Sequence, residues 1–236
     1  MKNIFQRLRQ WQRQRTLLIK EEAVYDTVFF EKGEFEGHKS HLPRIDYLKL
    51  LHPRKAECRE ELNKVRKIVA ETEEPAKQIA VLLDVRNWRP HIIGCVAALY
   101  VKDQAVVVEA LWRAFDRASW ASTQLAATLS LVDTDFVPHA LQRLRCGVLV
   151  HDPFNVMNET DTVERIEDAE GFMALWGILK EVHREDSLES PELLALRQRM
   201  ESLTRKPSAI IAVSWREEVE AVLQDQHTEL PNLKPV

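Results

Sequence analysis

Apolar residues recur at helical spacing over most of this chain. Between residues 57 and 145 they fall three or four positions apart, which places them on one side of a helix. Alternation with a period of two is nearly absent, and we expect strand at most in residues 25–37. The clearest helical run comprises Trp88, Ile92, Cys95, Val96 and Leu99. The pattern predicts an all-α protein.

Capping residues and prolines predict where the helices begin. Asn87 is a good N-cap for a helix that starts at Trp88, and Asp103 begins the next one. Ser190-Pro191 and Lys206-Pro207 have the form of helices with proline in the first turn. We expect an exposed loop from Lys32 to Pro43 and a second loop over residues 151–162. The predicted divisions are an N-terminal helical extension (1–54), helix-pair repeats (55–147), C-terminal helices (148–227) and a flexible tail (228–236).

One pattern occurs twice in the centre of the chain. Trp120 follows Trp88 by about 32 residues, and Asp135 follows Asp103 by the same interval. Each unit contains a capped helix, a short turn and a second capped helix, so each must bury its apolar face against a neighbour. Small residues such as Gly94 would allow neighbouring helices to approach closely. We predict that both tryptophans are buried at equivalent places.

This pattern over roughly residues 57–147 resembles HEAT-like and armadillo-type helical repeats. The resemblance implies an α-α superhelix of stacked helix pairs, a fold commonly used to bind another macromolecule. The period is shorter than the usual HEAT repeat of about 40–47 residues, and an irregular helical bundle is the alternative. The resemblance carries over no catalytic residue.

Composition and charge narrow the classes of function. Of 236 residues 45% are apolar and 30% charged, which suits a folded domain, and the net charge of −4 argues against a general nucleic-acid binder. The cysteines Cys58, Cys95 and Cys146 lack metal-ligand spacing and favour a reducing, cytoplasmic setting. The longest apolar run, Ile92–Val101, is too short to span a bilayer. Residues 2–20 are basic and predict a capping terminal helix, with contact to a membrane surface as the alternative.

Two sets of residues in the centre are candidates for function. The first is a set of arginines near the helix ends, which on a stack would line up as a ridge for an acidic protein partner: Arg89, Arg113, Arg117, Arg143 and Arg145. The second is Trp112 with Asp116, four positions apart on one helix. DNA glycosylases on a HEAT-like scaffold use a similar aromatic and carboxylate pair on a cationic damaged base. The competing interpretation is that Trp112 packs between helices and Asp116 pairs with an arginine.

The remaining motifs indicate no reaction. His38, His41 and His52 flank a loop but lack a convincing fourth ligand for zinc, and no phosphate-binding loop or nucleophile elbow is present. We therefore expect no catalytic residue, metal or cofactor. The sequence favours a non-enzymatic protein-interaction module, such as a bacterial adaptor or an immunity-type protein. The alternative is a HEAT-scaffold nucleic-acid enzyme that uses Trp112 and Asp116.

Overall fold

The fold is dominated by helices, as predicted. The computed structural model describes residues 19–53, 56–117, 119–145, 166–204 and 207–228. Within these ranges the helices are α1 (19–23), α2 (Ala56–Glu71), α3 (Pro75–Leu83), α4 (Trp88–Ala98), α5 (Ala105–Asp116), α6 (Ser122–Val132), α7 (Phe136–Arg145), α8 (Ile166–Glu181), α9 (Pro191–Leu203) and α10 (Ser208–Thr228). Short 3-10 turns cover Val24–Asp26, Lys49–Leu51 and Asp186–Glu189.

Two predicted helix starts are confirmed by their caps, whereas α5 begins at Ala105, two residues after the predicted Asp103. The side chain of Asn87 accepts a hydrogen bond from the backbone N–H of Arg89 at 3.1 Å, and α4 begins at Trp88. Ser190 caps α9 in the same way, accepting from the N–H of Leu193 at 3.3 Å. These bonds satisfy N–H groups that have no partner inside the helix.

A β-hairpin replaces the loop expected from Lys32 to Pro43, so that prediction is wrong. Strands β1 (Phe30–Phe35) and β2 (His38–Pro43) pair antiparallel. Glu36 and Gly37 join them with φ of 51° and 79°, the left-handed backbone of a tight two-residue turn. Nearly every side chain of β2 is exposed, so the hairpin leaves no alternating burial pattern in the sequence.

The helices pack in three rows. The middle row is α4, α6 and α8, with α3, α5 and α7 on one side of it. On the other side α2 packs against α4, and α10 packs against α6 and α8. The middle helices are buried nearly all round, as residues 90–98 and 121–129 show. A helix that is apolar on every side belongs in such an interior.

Two glycines mark close helix crossings. A Cβ on Gly94 would lie 2.9 Å from the Leu83 side chain, so α4 approaches α3 as closely as the sequence predicts. A Cβ on Gly177 of α8 would lie 2.8 Å from Cα of Ala209 in α10. The second contact is with backbone, which cannot move aside as a flexible side chain can.

The predicted equivalence of the two tryptophans is wrong. Trp88 is the first residue of α4 and packs partly buried against the core, whereas Trp120 precedes α6 and is 65% exposed. The spacing of 32 residues aligned the tryptophans, but the helices themselves begin at Trp88 and Ser122. Trp120 therefore lies in the turn before α6, where the packing of that helix does not bury it.

Some predicted features lie outside the described residues. They are most of the basic N-terminal helix (2–18), Cys146, the loop over 151–162 and the tail from 229 to 236. Where the structure does describe the chain, no helix is both long and apolar enough to cross a membrane.

Candidate interaction surface

The ends of the central helices meet at one edge of the stack. Helix α3 continues into α4 through residues 84–87, and α5 continues into α6 through residues 117–121. Arg117 joins the two turns, because its Nη1 donates to Asp84 Oδ1 at 2.9 Å and its Nη2 donates to the carbonyl of Leu83. We call the described residues of these two turns, together with Arg113, the loop edge.

Asp84 is surrounded by cations at the loop edge. Lys20 Nζ lies 2.5 Å from Oδ2 of Asp84, and Arg113 Nε lies 3.9 Å from Oδ1. Burial alone would raise the pKa of Asp84, but the hydrogen bonds from Lys20 and Arg117 outweigh it and lower that pKa. Together with Arg117, three cationic groups contact Asp84, and one of them, Arg113, also pairs with Glu109.

A buried histidine holds the two turns of the loop edge together. His91 of α4 is 1% exposed; its Nε2 lies 3.0 Å from the carbonyl of Val85 and its Nδ1 lies 2.6 Å from Oγ of Ser119. Because a carbonyl can only accept, Nε2 must carry the proton and Nδ1 must accept from the Ser119 hydroxyl. Burial, assisted by the charge of Arg117, lowers the pKa of His91 to about 4.

The five candidate arginines do not share one environment. Arg113 and Arg117 face Asp84, and Arg113 Nη1 also donates to Glu109 at 2.6 Å. Arg89 donates from Nε to the hydroxyl of Tyr47 at 2.8 Å. Arg143 pairs with a different carboxylate, as described below, and Arg145 is exposed at the end of α7. The structure brings Arg113 and Arg117 together at Asp84, whereas Arg89 lies against Tyr47.

Trp112 lies inside a cluster of rings and charges and is 6% exposed. Its Nε1–H donates to Asp133 Oδ2 at 2.7 Å. The Arg143 guanidinium carbon lies 3.8 Å from the ring centroid, and Phe136 stacks at 6.0 Å between centroids. Phe115 approaches edge-on at 5.8 Å. The Trp112 ring is therefore occupied by packing contacts between α5 and α7.

Asp116 is held by Arg143 through two parallel hydrogen bonds. The distances are 2.7 Å from Nε to Oδ1 and 2.8 Å from Nη2 to Oδ2. This two-point geometry is the strongest form of an arginine–carboxylate pair. It joins the C-terminal end of α5 to α7, in the way that Arg117 and Asp84 join α5 to α3.

The same cluster contains an Asp–His pair that the sequence did not predict. His139 Nδ1 lies 2.8 Å from Asp133 Oδ2, the oxygen that also accepts from Trp112. Burial would raise the pKa of Asp133, but the hydrogen bonds from His139 and Trp112 lower it. The spacing of six residues across the start of α7 is not a recognised motif, and only the turn at 133–135 brings the two side chains together.

The loop histidines do not form a metal centre with their described neighbours. His41 instead stacks on Tyr25 at 5.2 Å between ring centroids. Among the residues that the structure describes, no group of three or more histidines, cysteines or acids is placed to hold a metal ion.

Cavities at the surface of the described chain include one at each end of the helical stack's sequence. One of about 470 Å³ lies between α8, α9 and α10, with Trp176 and Val213 in its wall. The other, of about 260 Å³, lies beside the loop edge, between the β-hairpin and the start of α4. The second could not be found from the sequence, because its wall belongs to the hairpin that was expected to be a loop.

Comparison with known proteins identified no family for this chain. The chain matches no protein-family model, and no curated protein or solved structure matches it significantly.

Proposed function

We propose that the protein is a non-enzymatic interaction module that binds an acidic protein surface through the loop edge. The observation that carries the proposal is Trp120, which is 65% exposed in the turn between α5 and α6. Single exposed apolar side chains are common on protein surfaces, but an indole ring offers a partner a large apolar area to bury. Tryptophan and arginine are also the residues that most often dominate the energy of protein interfaces.

The charges at the loop edge support an acidic partner. Lys20, Arg113 and Arg117 share Asp84, and the side chain of Arg113 is 45% exposed. Since the whole chain carries a net charge of −4, this positive edge is a local feature. Complementary charge would steer an acidic partner to this edge rather than to the remaining surface.

The alternative function, a nucleic-acid enzyme, would use Trp112 and Asp116. A pocket for a damaged base needs an open aromatic face and an available carboxylate. Trp112 is 6% exposed beneath Arg143, and both oxygens of Asp116 accept from that arginine. This geometry supports a packing role for both residues and favours the interaction module.

We further infer that the packing is HEAT-like, with α2 and α10 covering the middle row. The successive pairs are α3/α4, α5/α6 and α7/α8, one helix out of step with the predicted pairs α4/α5 and α6/α7. The small format suits an adaptor or immunity-type protein of the bacterial cytoplasm. A reducing compartment agrees with Cys58 and Cys95, which are buried free thiols whose pKa burial raises to about 12.

A site-specific photo-cross-link tests the proposal. A benzophenone amino acid at position 120 should capture a partner in cells, whereas the same group at position 106 should not. Val106 is a matched control, since it is also exposed, at 46%, but lies near the start of α5. The yield of the adduct at position 120 should fall in Arg113→Glu. It should persist in Lys102→Glu, which reverses a charge in the turn after α4.

Equal capture from positions 120 and 106, or an adduct indifferent to Arg113→Glu, would refute the loop edge as the interface. Release of a cationic alkylated base from duplex DNA by the wild-type protein, lost in Asp116→Asn, would favour the enzyme instead.

A further inference from the structure

The cavity beside the loop edge is small and lined by aromatic rings. Its volume of about 260 Å³ is below the roughly 300–1,000 Å³ of pockets that hold whole small molecules. Such a space suits a single large side chain. The rings and the charged group that line it are Tyr25, Phe30, His41, Tyr47 and Arg89.

The walls of this cavity are held in place by contacts between its own rings. Tyr25 stacks on His41 and meets Phe30 edge-on at 5.5 Å between centroids. Tyr47 meets Trp88 edge-on at 5.6 Å, and its hydroxyl accepts from Arg89 at 2.8 Å. A guest would therefore meet a preformed wall, which reduces the entropy lost on binding.

The deep residues of the lining are apolar. Val24 is 2% exposed and Ile93 is 1% exposed, and Pro90 of α4 is buried beside them. An aromatic guest would gain the hydrophobic free energy of leaving water and favourable ring–ring contacts with Tyr25 and Phe30.

The lining carries one cation, Arg89, and one acid, Glu21, so a carboxylate would be favoured only beside Arg89. Arg89 is exposed and uses Nε for Tyr47, with its guanidinium carbon 5.1 Å from the Trp88 ring centroid. Glu21 is the acid of the lining, and its Oε1 accepts the backbone N–H of Arg86 at 2.8 Å. A guanidinium can bind a carboxylate through two parallel hydrogen bonds.

We propose that this cavity receives one aromatic side chain of the protein partner, and that Arg89 pairs with a carboxylate next to that side chain. The inference rests on the proposed function, because it names the feature of an acidic partner that the loop edge recognises. The cavity would anchor the partner, while Trp120 and Arg113 cover the adjoining surface.

The test is a titration of the full chain with the acetylated, amidated peptide Glu-Glu-Phe-Glu-Glu, followed by NMR of the Ile93 methyl groups and by calorimetry. We expect the Ile93 signals to shift. Replacing the peptide phenylalanine by alanine should weaken binding about tenfold, the effect of losing one buried aromatic ring. A peptide with lysine in place of glutamate should not bind.

Two variants separate the parts of the site. Tyr25→Ala should remove the preference for phenylalanine over alanine, and Arg89→Gln should remove the preference for glutamate over glutamine. Lys102→Gln is the control, because it also deletes one positive charge from an exposed position, in the turn after α4. Equal affinity for the phenylalanine and alanine peptides, no shift at Ile93, or better binding of the lysine peptide would overturn the proposal.

The peptide-binding test of the cavity and the cross-linking test of the loop edge can fail independently. If the cross-link at position 120 forms as expected but is unaffected by Tyr25→Ala and Arg89→Gln, the loop edge is an interface and the cavity is not its anchor. If position 120 captures nothing while the peptide binds as described, the cavity is a recognition site and the loop edge is not.

Discussion

Acidification should destabilise the protein through His91. The imidazole is buried at the junction of α4 with the turns at 84–87 and 117–121, and it must be neutral to accept from Ser119 while donating to Val85. Its pKa in the folded protein is lowered to about 4 from an ordinary value of 6.5. Burial is the main cause, and Arg117 acts in the same direction while Asp84 opposes it.

The sign and size of the effect follow from this difference. Between pH 6.5 and about 4 the unfolded chain binds a proton at His91 and the folded protein does not. Stability therefore falls as the pH falls through this window, with a slope of at most about 1.4 kcal/mol per pH unit. The total loss from this residue is of order 3 kcal/mol, which is large beside the roughly 5–15 kcal/mol of a typical domain.

Urea unfolding followed by far-ultraviolet circular dichroism, at pH values from about 7.5 to 4.5, would measure the slope. The variant His91→Gln removes the titrating group. It should be less stable than wild type at neutral pH by about 1–3 kcal/mol, because it disturbs a buried hydrogen-bond network. Its stability should nevertheless depend less on pH.

Other titrating groups are separated by comparison. Burial also lowers the pKa of His183, so His183→Gln serves as the control for the same pH window. The pKa values of Asp84 and Asp133 lie below the ordinary 3.8, so their contribution is lost at lower pH. Identical pH slopes for wild type and His91→Gln would refute the assignment of a buried neutral imidazole.

Three further substitutions probe the packing. Gly177→Ala should destabilise the fold by about 1–3 kcal/mol in urea unfolding, because the new methyl group meets the backbone of Ala209. This cost should exceed the gain from the higher helix propensity of alanine. Unchanged stability would mean that α8 and α10 can separate. Trp120→Ala should change stability by no more than about 0.5 kcal/mol, since the ring is exposed, and a loss of several kcal/mol would show that it is a core residue. Asp116→Asn should lower the free energy of unfolding by about 1–2 kcal/mol, because it weakens the pair with Arg143. This loss should be smaller in an Arg143→Gln background. Additive losses of stability in the double variant would contradict a direct pair.

Local chemistry was predictable wherever one short segment contains the whole cause. Asn87 caps α4 and Ser190 caps α9 because a cap needs only a side-chain oxygen and an N–H two or three residues away. The expected close approach at Gly94 is also present, since a missing Cβ marks such a crossing directly. The hairpin over β1 and β2 was missed because its exposed side chains carry no alternating pattern.

The sequence by itself determined the helical class and the starts of α4 and α9, because periodicity and capping are local properties of the chain. Only the tertiary structure decided which residues meet. It placed Trp112 under Arg143 and joined Asp116 to that arginine across 27 positions. It also left Trp120 in water, because Trp120 lies in the turn before α6 whereas Trp88 lies on α4. Pairings between distant segments depend on how the rows of helices stack, and no short stretch of this chain encodes that.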